Sequence, residues 1–194
     1  ELEGELGLGD LGGHALDPQI TPWPSDREAV DIGGVTEHRG AVEAPIVIDG
    51  FIHEDTSVLQ QETARIREDL LFMNFLSSHD GIGLTSAKEI LSQNRFETLL
   101  ETIRARDGRI SYRTSEKSST PYELNITYYD AINDPSTPDM ETDVKRFMAA
   151  SSIALVDKGL PGIYIHCLLG SRNYTEGVEK TGEKREINRE RLVF

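Results

Sequence analysis

Residues 70 to 83 read LLFMNFLSSHDGIG, and this stretch decides the fold. From Leu70 to Leu76 nearly every position is apolar, which is the pattern of a strand buried on both faces of a parallel sheet or barrel. A strand with one wet face would alternate instead. The run stops at Ser77-Ser78, and His79-Asp80 then stands at its carboxyl end, followed by Gly81 and Gly83. In (β/α)8 barrels the side chains just beyond the strand ends build the active site, so an acid and an imidazole placed there point to chemistry. The same letters also suit a turn that caps the next helix, because Ser and Asp are common in both roles. The pattern by itself leaves the two readings open.

The chain on either side fits a repeating strand–helix organisation. Thr85 or Ser86 can cap a helix bearing Ile90, Leu91, Phe96, Leu99, Leu100 and Ile103, which Asp107-Gly108 would end. Arg109 to Asp130 is a polar excursion with tyrosines at Tyr112, Tyr122, Tyr128 and Tyr129, read as a long functional or mobile loop. Asp139 to Lys158 carries Val144, Phe147, Met148, Ser151 and Leu155 at helical spacing, and Gly159-Leu160-Pro161-Gly162 stops it. Ile163 to Leu169 is predicted to be a second buried strand, opening into Gly170-Ser171-Arg172-Asn173. Two such units imply parallel strands joined by right-handed crossovers. The closing GVEKTGEKREINRERLVF reads as a charged loop or linker. Upstream, Ala44 to Ile52 looks like a strand and Thr56 to Glu68 like a short helix.

Charge divides the chain. Residues 1 to 60 hold 13 acidic and 2 basic side chains, whereas residues 61 to 194 hold 21 and 18. The first part is also broken by Gly12-Gly13, Pro18, Pro22, Pro24, Gly33-Gly34, Gly40 and Pro45, so residues 1 to 64 are predicted to be an acidic, loop-rich segment without a recognised fold. Residues 65 to 194 form the second domain. The formal net charge of −14 argues against nucleic acid and anionic membrane as partners. No apolar stretch is long enough to span a bilayer. The amino terminus, which lacks an initiating Met, has neither the basic start nor the apolar core of an export signal. A single cysteine, Cys167, lies within an apolar run and suits a buried thiol in a reducing, cytoplasmic compartment. His14, His38 and His53 match no metal-site spacing, and no Lys-Ser/Thr follows the glycines as a phosphate loop requires, so neither metal nor organic cofactor is expected.

Four blocks in order, FMNFLSSHDGIG, PYELNITYYDAI, LPGIYIHCLLGSRN and VEKTGEKREINRE, resemble the C-terminal part of the catalytic barrel of glycoside hydrolase family 13. Within that family the likeness is to the sucrose phosphorylase-like subfamily, which includes glucosylglycerate and glucosylglycerol phosphorylases, and it runs from Leu70 to Leu192. The resemblance implies a partial (β/α)8 TIM barrel of the α/β class, with Leu70–Leu76 as the seventh strand and Ile163–Leu169 as the eighth. It places Asp80 as the third catalytic carboxylate, which stabilises an oxocarbenium-like transition state, and His79 as a hydrogen-bonding partner of the same sugar. Tyr122 and Glu123 fall on a loop that shapes the acceptor site. Glu123 stands where sucrose phosphorylases usually carry Gln, which points toward the glucosylglycerate branch. Arg185 falls on an arginine associated with phosphate binding, a task suited to a guanidinium fork; Arg185 and Arg189 equally fit a solvated charge run.

At 194 residues the chain is shorter than a complete barrel of about 250. Retaining enzymes need a nucleophilic carboxylate and a separate general acid/base, and no matching block occurs upstream of Leu70. Glu62-Thr63 is the nearest imitation, in a helical context. The expected function is therefore that of a fragment of a retaining α-glucoside phosphorylase, acting on an α-glucoside and inorganic phosphate and inactive alone. Alternatives are a non-catalytic carbohydrate-binding or interaction protein, or a half barrel that is not a stable domain by itself, whose open edges and apolar inner face invite aggregation or assembly with another chain.

Overall fold

The chain divides between Thr36 and Glu37 into two units. The structure, a computed structural model, describes residues 43–65, 73–115 and 118–193, all in the second unit. The acidic loops expected over residues 1–42, with His14 and His38, lie outside the described residues, as do Leu70 to Phe72 at the start of the organising stretch.

The first element corrects the sequence reading. Residues expected to form a strand over Ala44–Ile52 form α1 (Glu43–His53), and α2 (Ser57–Ala64) follows it. Pro45 sits in the first turn, where a missing N–H costs nothing. Ala44, Ile46, Val47 and Ile48 are all buried, so the apolar run that imitated a strand is a helix covered on most of its circumference. It packs against α4, α5 and β2, and the Tyr128 hydroxyl donates to the Ala44 carbonyl at 3.3 Å. Residues 43–64 thus share one core with the rest of the unit.

The organising stretch contributes β1 (Met73–Asn74), and after the His-Asp turn β2 (Ile82–Gly83). The single helix expected next is two: α3 (Ala87–Ile90) and α4 (Gln93–Ala105). Leu91 is extended between them, and the Ser92 hydroxyl caps α4 by accepting from the Arg95 amide. Phe96, Leu99, Leu100 and Ile103 form the buried stripe of α4.

The polar excursion is a hairpin rather than a loop: β3 (Arg109–Thr114) pairs antiparallel with β4 (Ser119–Asn125), and α5 (Tyr128–Ile132) completes it. The strand order is β2-β4-β3. Pro121 is tolerated in β4 because β2 pairs only with Glu123 and Leu124, leaving the proline outside that ladder. Alternation along β4 sends Leu124 into the core, where it is fully buried.

α6 (Met140–Val156) matches the expected helix. Beyond it, β5 (Leu160–Pro161) lies parallel to β1, with Met73 opposite Leu160, as expected for strands joined by a crossover. Asn74 interrupts the apolar run for a structural reason. It is fully buried, and its amide donates to the Asp157 and Lys158 carbonyls at 3.2 and 3.3 Å, tying β1 to the end of α6.

The second predicted strand is also corrected: Ile165–Leu169 is the short helix α7, closed by Gly170 in the left-handed region at φ 61°. A short apolar run fits a buried strand or a helix equally, and here the terminating glycine decides. The charged tail is not a linker. It folds into α8 (Thr175–Thr181) and a 3-10 helix (Lys184–Asn188).

Charges hold the α1–α4 contact. Asp49 is fully buried and accepts from Arg95 Nε at 3.0 Å and Nη2 at 2.6 Å, while Arg95 Nη1 reaches Asp55 at 2.6 Å. Removing the guanidinium leaves a buried carboxylate with only the His53 ring beside it, at 3.0 Å. Arg95→Ala should cost about 3–5 kcal/mol in urea unfolding, against less than about 1 for Lys145→Ala at the exposed pair with Glu141. The Ser57 backbone N–H, then Arg95, lowers the Asp55 carboxyl from 3.8 to about 2. Its contribution is present above pH 3.8 and is lost as pH falls toward 2, so Asp55→Asn should flatten the stability profile across that window.

Candidate functional site

The turn after β1 is built to present an acid. The Ser78 amide donates to the Gly81 carbonyl at 3.0 Å, and the Asp80 amide donates to Ser78 Oγ at 3.2 Å. Gly81 has φ 142°, and a Cβ there would lie 2.3 Å from the Leu124 carbonyl oxygen. Only glycine fits that close approach to β4. His79 is the more exposed of the pair, with Nε2 at 3.3 Å from Asp80 Oδ1.

Two arginines from the C-terminal tail converge on this turn. Arg189 spans it, with Nε donating to the His79 carbonyl at 3.0 Å and Nη2 to Asp80 Oδ1 at 2.8 Å. Arg185 Nη1 reaches the same oxygen at 3.1 Å. The remaining edge of Arg185 grips Glu123 with both donors, Nε to Oε1 at 3.2 Å and Nη2 to Oε2 at 2.9 Å. Those hydrogen bonds raise the Arg185 pKa further above its ordinary value.

Glu123 is buried on β4, between Gly83 on β2 and Ser111 on β3. Asn125, two residues on and therefore on the same face of the strand, donates through Nδ2 to Glu123 Oε1 at 2.6 Å and to the Asp80 carbonyl at 3.1 Å. Ser111 donates to Asn125 Oδ1 at 2.7 Å, which fixes that amide with its donors toward the acids. Asn188, from the tail, is buried with its Oδ1 unpartnered. Tyr122 is half-buried with the Arg113 guanidinium 5.4 Å above its ring, and its carbonyl takes the Leu84 amide.

Beside the cluster lies an open groove of about 460 Å³, lined by Ser111, Tyr112, Tyr122, Lys184, Arg185 and their neighbours. It combines aromatic faces, a hydroxyl, the cations of Lys184 and Arg185 and the carboxylate of Glu183, a polar mixture that suits a sugar. Among the described residues no three His, Cys, Asp or Glu side chains are grouped to hold a metal ion, and His53 instead bonds Asp49. Burial raises the Cys167 thiol, which sits 3.0 Å from Ser77 Oγ. No helix among the described residues is long and apolar enough to cross a membrane.

The fold brings all five residues singled out in the sequence, His79, Asp80, Tyr122, Glu123 and Arg185, to one region. Arg189, Asn125 and Ser111 join them. The period-two spacing of Glu123 and Asn125 could have revealed the second, had the segment been read as a strand.

No protein-family model matches the chain. The chain is 42% identical over 153 residues to glucosylglycerate phosphorylase of Spirochaeta thermophila, covering 77% of this chain and 26% of the relative. It is 39% identical over 121 residues to glucosylglycerate phosphorylase of Escherichia coli, covering 62% and 22%. The solved structure of sucrose 6F-phosphate phosphorylase from Thermoanaerobacter thermosaccharolyticum superposes with a TM-score of 0.67 at 23% identity, over 78% of this chain and 29% of that one. The chain spans about a quarter of the length of these curated relatives. Since residues 70–194 make up about two thirds of the sequence, a match over 77% reaches upstream of Leu70. The described α/β fold is that of part of such a phosphorylase.

The hydrogen-bond hierarchy sets an order of costs. Asn125→Asp would place a second buried carboxylate against Glu123 and should cost about 3 kcal/mol or more at neutral pH. Ser111→Ala, which loses one neutral bond, should cost about 1. Equal urea midpoints for the two variants would contradict the arrangement.

Proposed function

We propose, for a chain that belongs by its C-terminal part to the sucrose phosphorylase-like subfamily of glycoside hydrolase family 13, that it carries the sugar-stabilising and phosphate-side portion of a retaining α-glucoside phosphorylase. The observation that supports this most is the convergence of Arg185 and Arg189 on Asp80 at the mouth of a strand. β1 and β5 are read as the seventh and eighth strands of the barrel.

In the reaction proposed for the complete barrel, a carboxylate attacks the anomeric carbon. The glycosidic C–O bond breaks, and a general acid gives its proton to the departing alcohol. A phosphate oxygen then attacks the glucosyl-enzyme, releasing α-glucose 1-phosphate and the carboxylate. Asp80, fixed before the reaction by two guanidinium groups and a constrained turn, stabilises the positive charge that develops on the ring without reorganising. His79 donates to the same sugar. Tyr122 and Glu123 shape the acceptor side and Arg185 takes the phosphate. Glu123, in place of the usual Gln, favours a glucosylglycerate-type substrate over sucrose. A cytoplasmic setting agrees with the free, buried Cys167.

The nucleophile and acid/base come from the strands this sequence does not contain. Large exposed apolar side chains of the described residues fall mostly between Met140 and Leu169, with Met73 beside them on β1. Neither β1 nor β5 has a second partner among the described residues. An uncovered apolar face with open strand edges favours assembly with the rest of a barrel, supplied by another chain, over a free-standing sugar-binding module.

Phosphate release from α-glucose 1-phosphate, with glycerate, glycerol or fructose as acceptor, tests the proposal. The folded chain alone should show no turnover. Adding the complementary barrel half of a relative should restore it, and Asp80→Asn should remove it again by at least about a hundredfold. Turnover by the chain alone would place the missing carboxylates within residues 1–69. Restored turnover indifferent to Asp80→Asn would overturn the role of that residue.

A further inference from the structure

We infer that Glu123 is an internal anion: it occupies the edge of Arg185 that an external oxyanion takes, so that ligand binding there is an exchange of one anion for the other. The inference rests on Arg185 being the anion-binding arginine of the proposed function, and adds what must leave before an anion can enter.

A carboxylate accepting two parallel N–H bonds from a guanidinium is the geometry by which arginine recognises carboxylate and phosphate ligands alike. Glu123 has this geometry, with contacts of 3.2 and 2.9 Å. An external oxyanion therefore meets a fork already filled. When Glu123 leaves, Arg185 keeps a second anchor, because Nη1 also contacts Asp80 Oδ1 at 3.1 Å. The two freed donors are then open to the incoming anion.

The surroundings permit the exchange. The cross-strand neighbours of Glu123 are Gly83 and Ser111, both small. Its carboxylate retains the Asn125 amide as a donor, so it is not left without a partner. The groove lined by Tyr122, Lys184 and Arg185 gives an incoming anion a way to the fork from solvent. Lys184, whose ammonium donates to the Ile110 carbonyl at 2.8 Å, keeps a second cation beside that path. Two sources share the required chemistry: inorganic phosphate, and the carboxylate of an acceptor such as glycerate.

The test is calorimetric titration of the full chain with inorganic phosphate and, separately, with glycerate, in wild type, Glu123→Gln, Glu183→Gln and Glu123→Gln combined with Arg185→Gln. Glu183 also lines the groove, so its variant removes the same charge without emptying the fork. The expected result is at least tenfold tighter anion binding in Glu123→Gln, less than threefold in Glu183→Gln, and loss of the gain when Arg185 is also replaced. A gain for phosphate identifies the reacting anion as the exchanging ligand, and a gain for glycerate alone identifies the acceptor.

Equal gains in the two single variants would reduce the effect to net charge and overturn the exchange. Binding that depends on Arg185 without a Glu123→Gln gain would overturn the exchange alone and leave the proposed function standing. Binding indifferent to Arg185 would overturn the phosphate role as well. In the wild-type chain, where no variant has to fold, saturating anion should move the Glu123 side-chain carboxyl 13C resonance more than that of Asp80. An unmoved Glu123 signal at saturation would also overturn the inference.

Discussion

A buried carboxylate must be paired, and Glu123 is paired with Arg185. Much of the site follows from that constraint. Arg185 comes from the far end of the chain, so satisfying Glu123 draws the tail back onto the hairpin; Asp80 then shares the same guanidinium. Arg189, one turn further along, closes the arrangement by bonding both the backbone and the side chain of the His-Asp turn. Three segments distant in sequence are held against one another by one buried carboxylate and the partly exposed charges of Asp80, Arg185 and Arg189 around it. The His-Asp turn is held by strands and a helical tail rather than by a free loop, so these donors are in place before any ligand arrives.

The same economy accounts for the polar residues inside otherwise apolar stretches. Asn74 interrupts β1 to tie down the end of α6, and Asn125 interrupts β4 to join Glu123 to Asp80. Asp130, buried beside Arg172 and accepting the Asn173 amide, anchors the turn after α7 to α5, with desolvation raising its pKa. Each is a hydrogen-bonded tie between elements rather than a defect in a core. The face around β1, β5 and the end of α6 is different in kind. Its exposed Met73, Val156, Leu160, Ile163 and Leu168 have no such compensation within the described residues, as expected where further strands would pack.

The grouping of the candidate residues is more legible in the sequence than the topology. His79-Asp80 at the end of an apolar run marks the turn on which Arg185 and Arg189 converge, and the resemblance singles out Tyr122, Glu123 and Arg185, which the fold brings to the same region. Secondary structure was harder wherever an apolar run was short. Residues 44–52 and 163–169 satisfy strand and helix patterns equally, and what decided them was tertiary cover in the first case and a left-handed Gly170 in the second. The hairpin from Arg109 to Asn125 is obscured in the sequence by its serines and Pro121, and because Glu123, Leu124 and Asn125 are buried in succession, β4 shows no alternation of apolar and polar residues at its buried end. Arg189 was invisible as a site residue. In sequence it is one charge among many, and its role exists only once the 3-10 turn aims it at Asp80.

Amide hydrogen exchange through the His-Asp turn tests most directly whether the tail arginines hold the site together. In an Arg185→Gln, Arg189→Gln double variant, exchange over Ser78 to Leu84 should accelerate at least about tenfold, equivalent to about 1.4 kcal/mol of lost local stability, while α4 stays unchanged. Unaltered protection over Ser78 to Leu84 would contradict the account, showing that the turn is formed by its own backbone and that the arginines only decorate it.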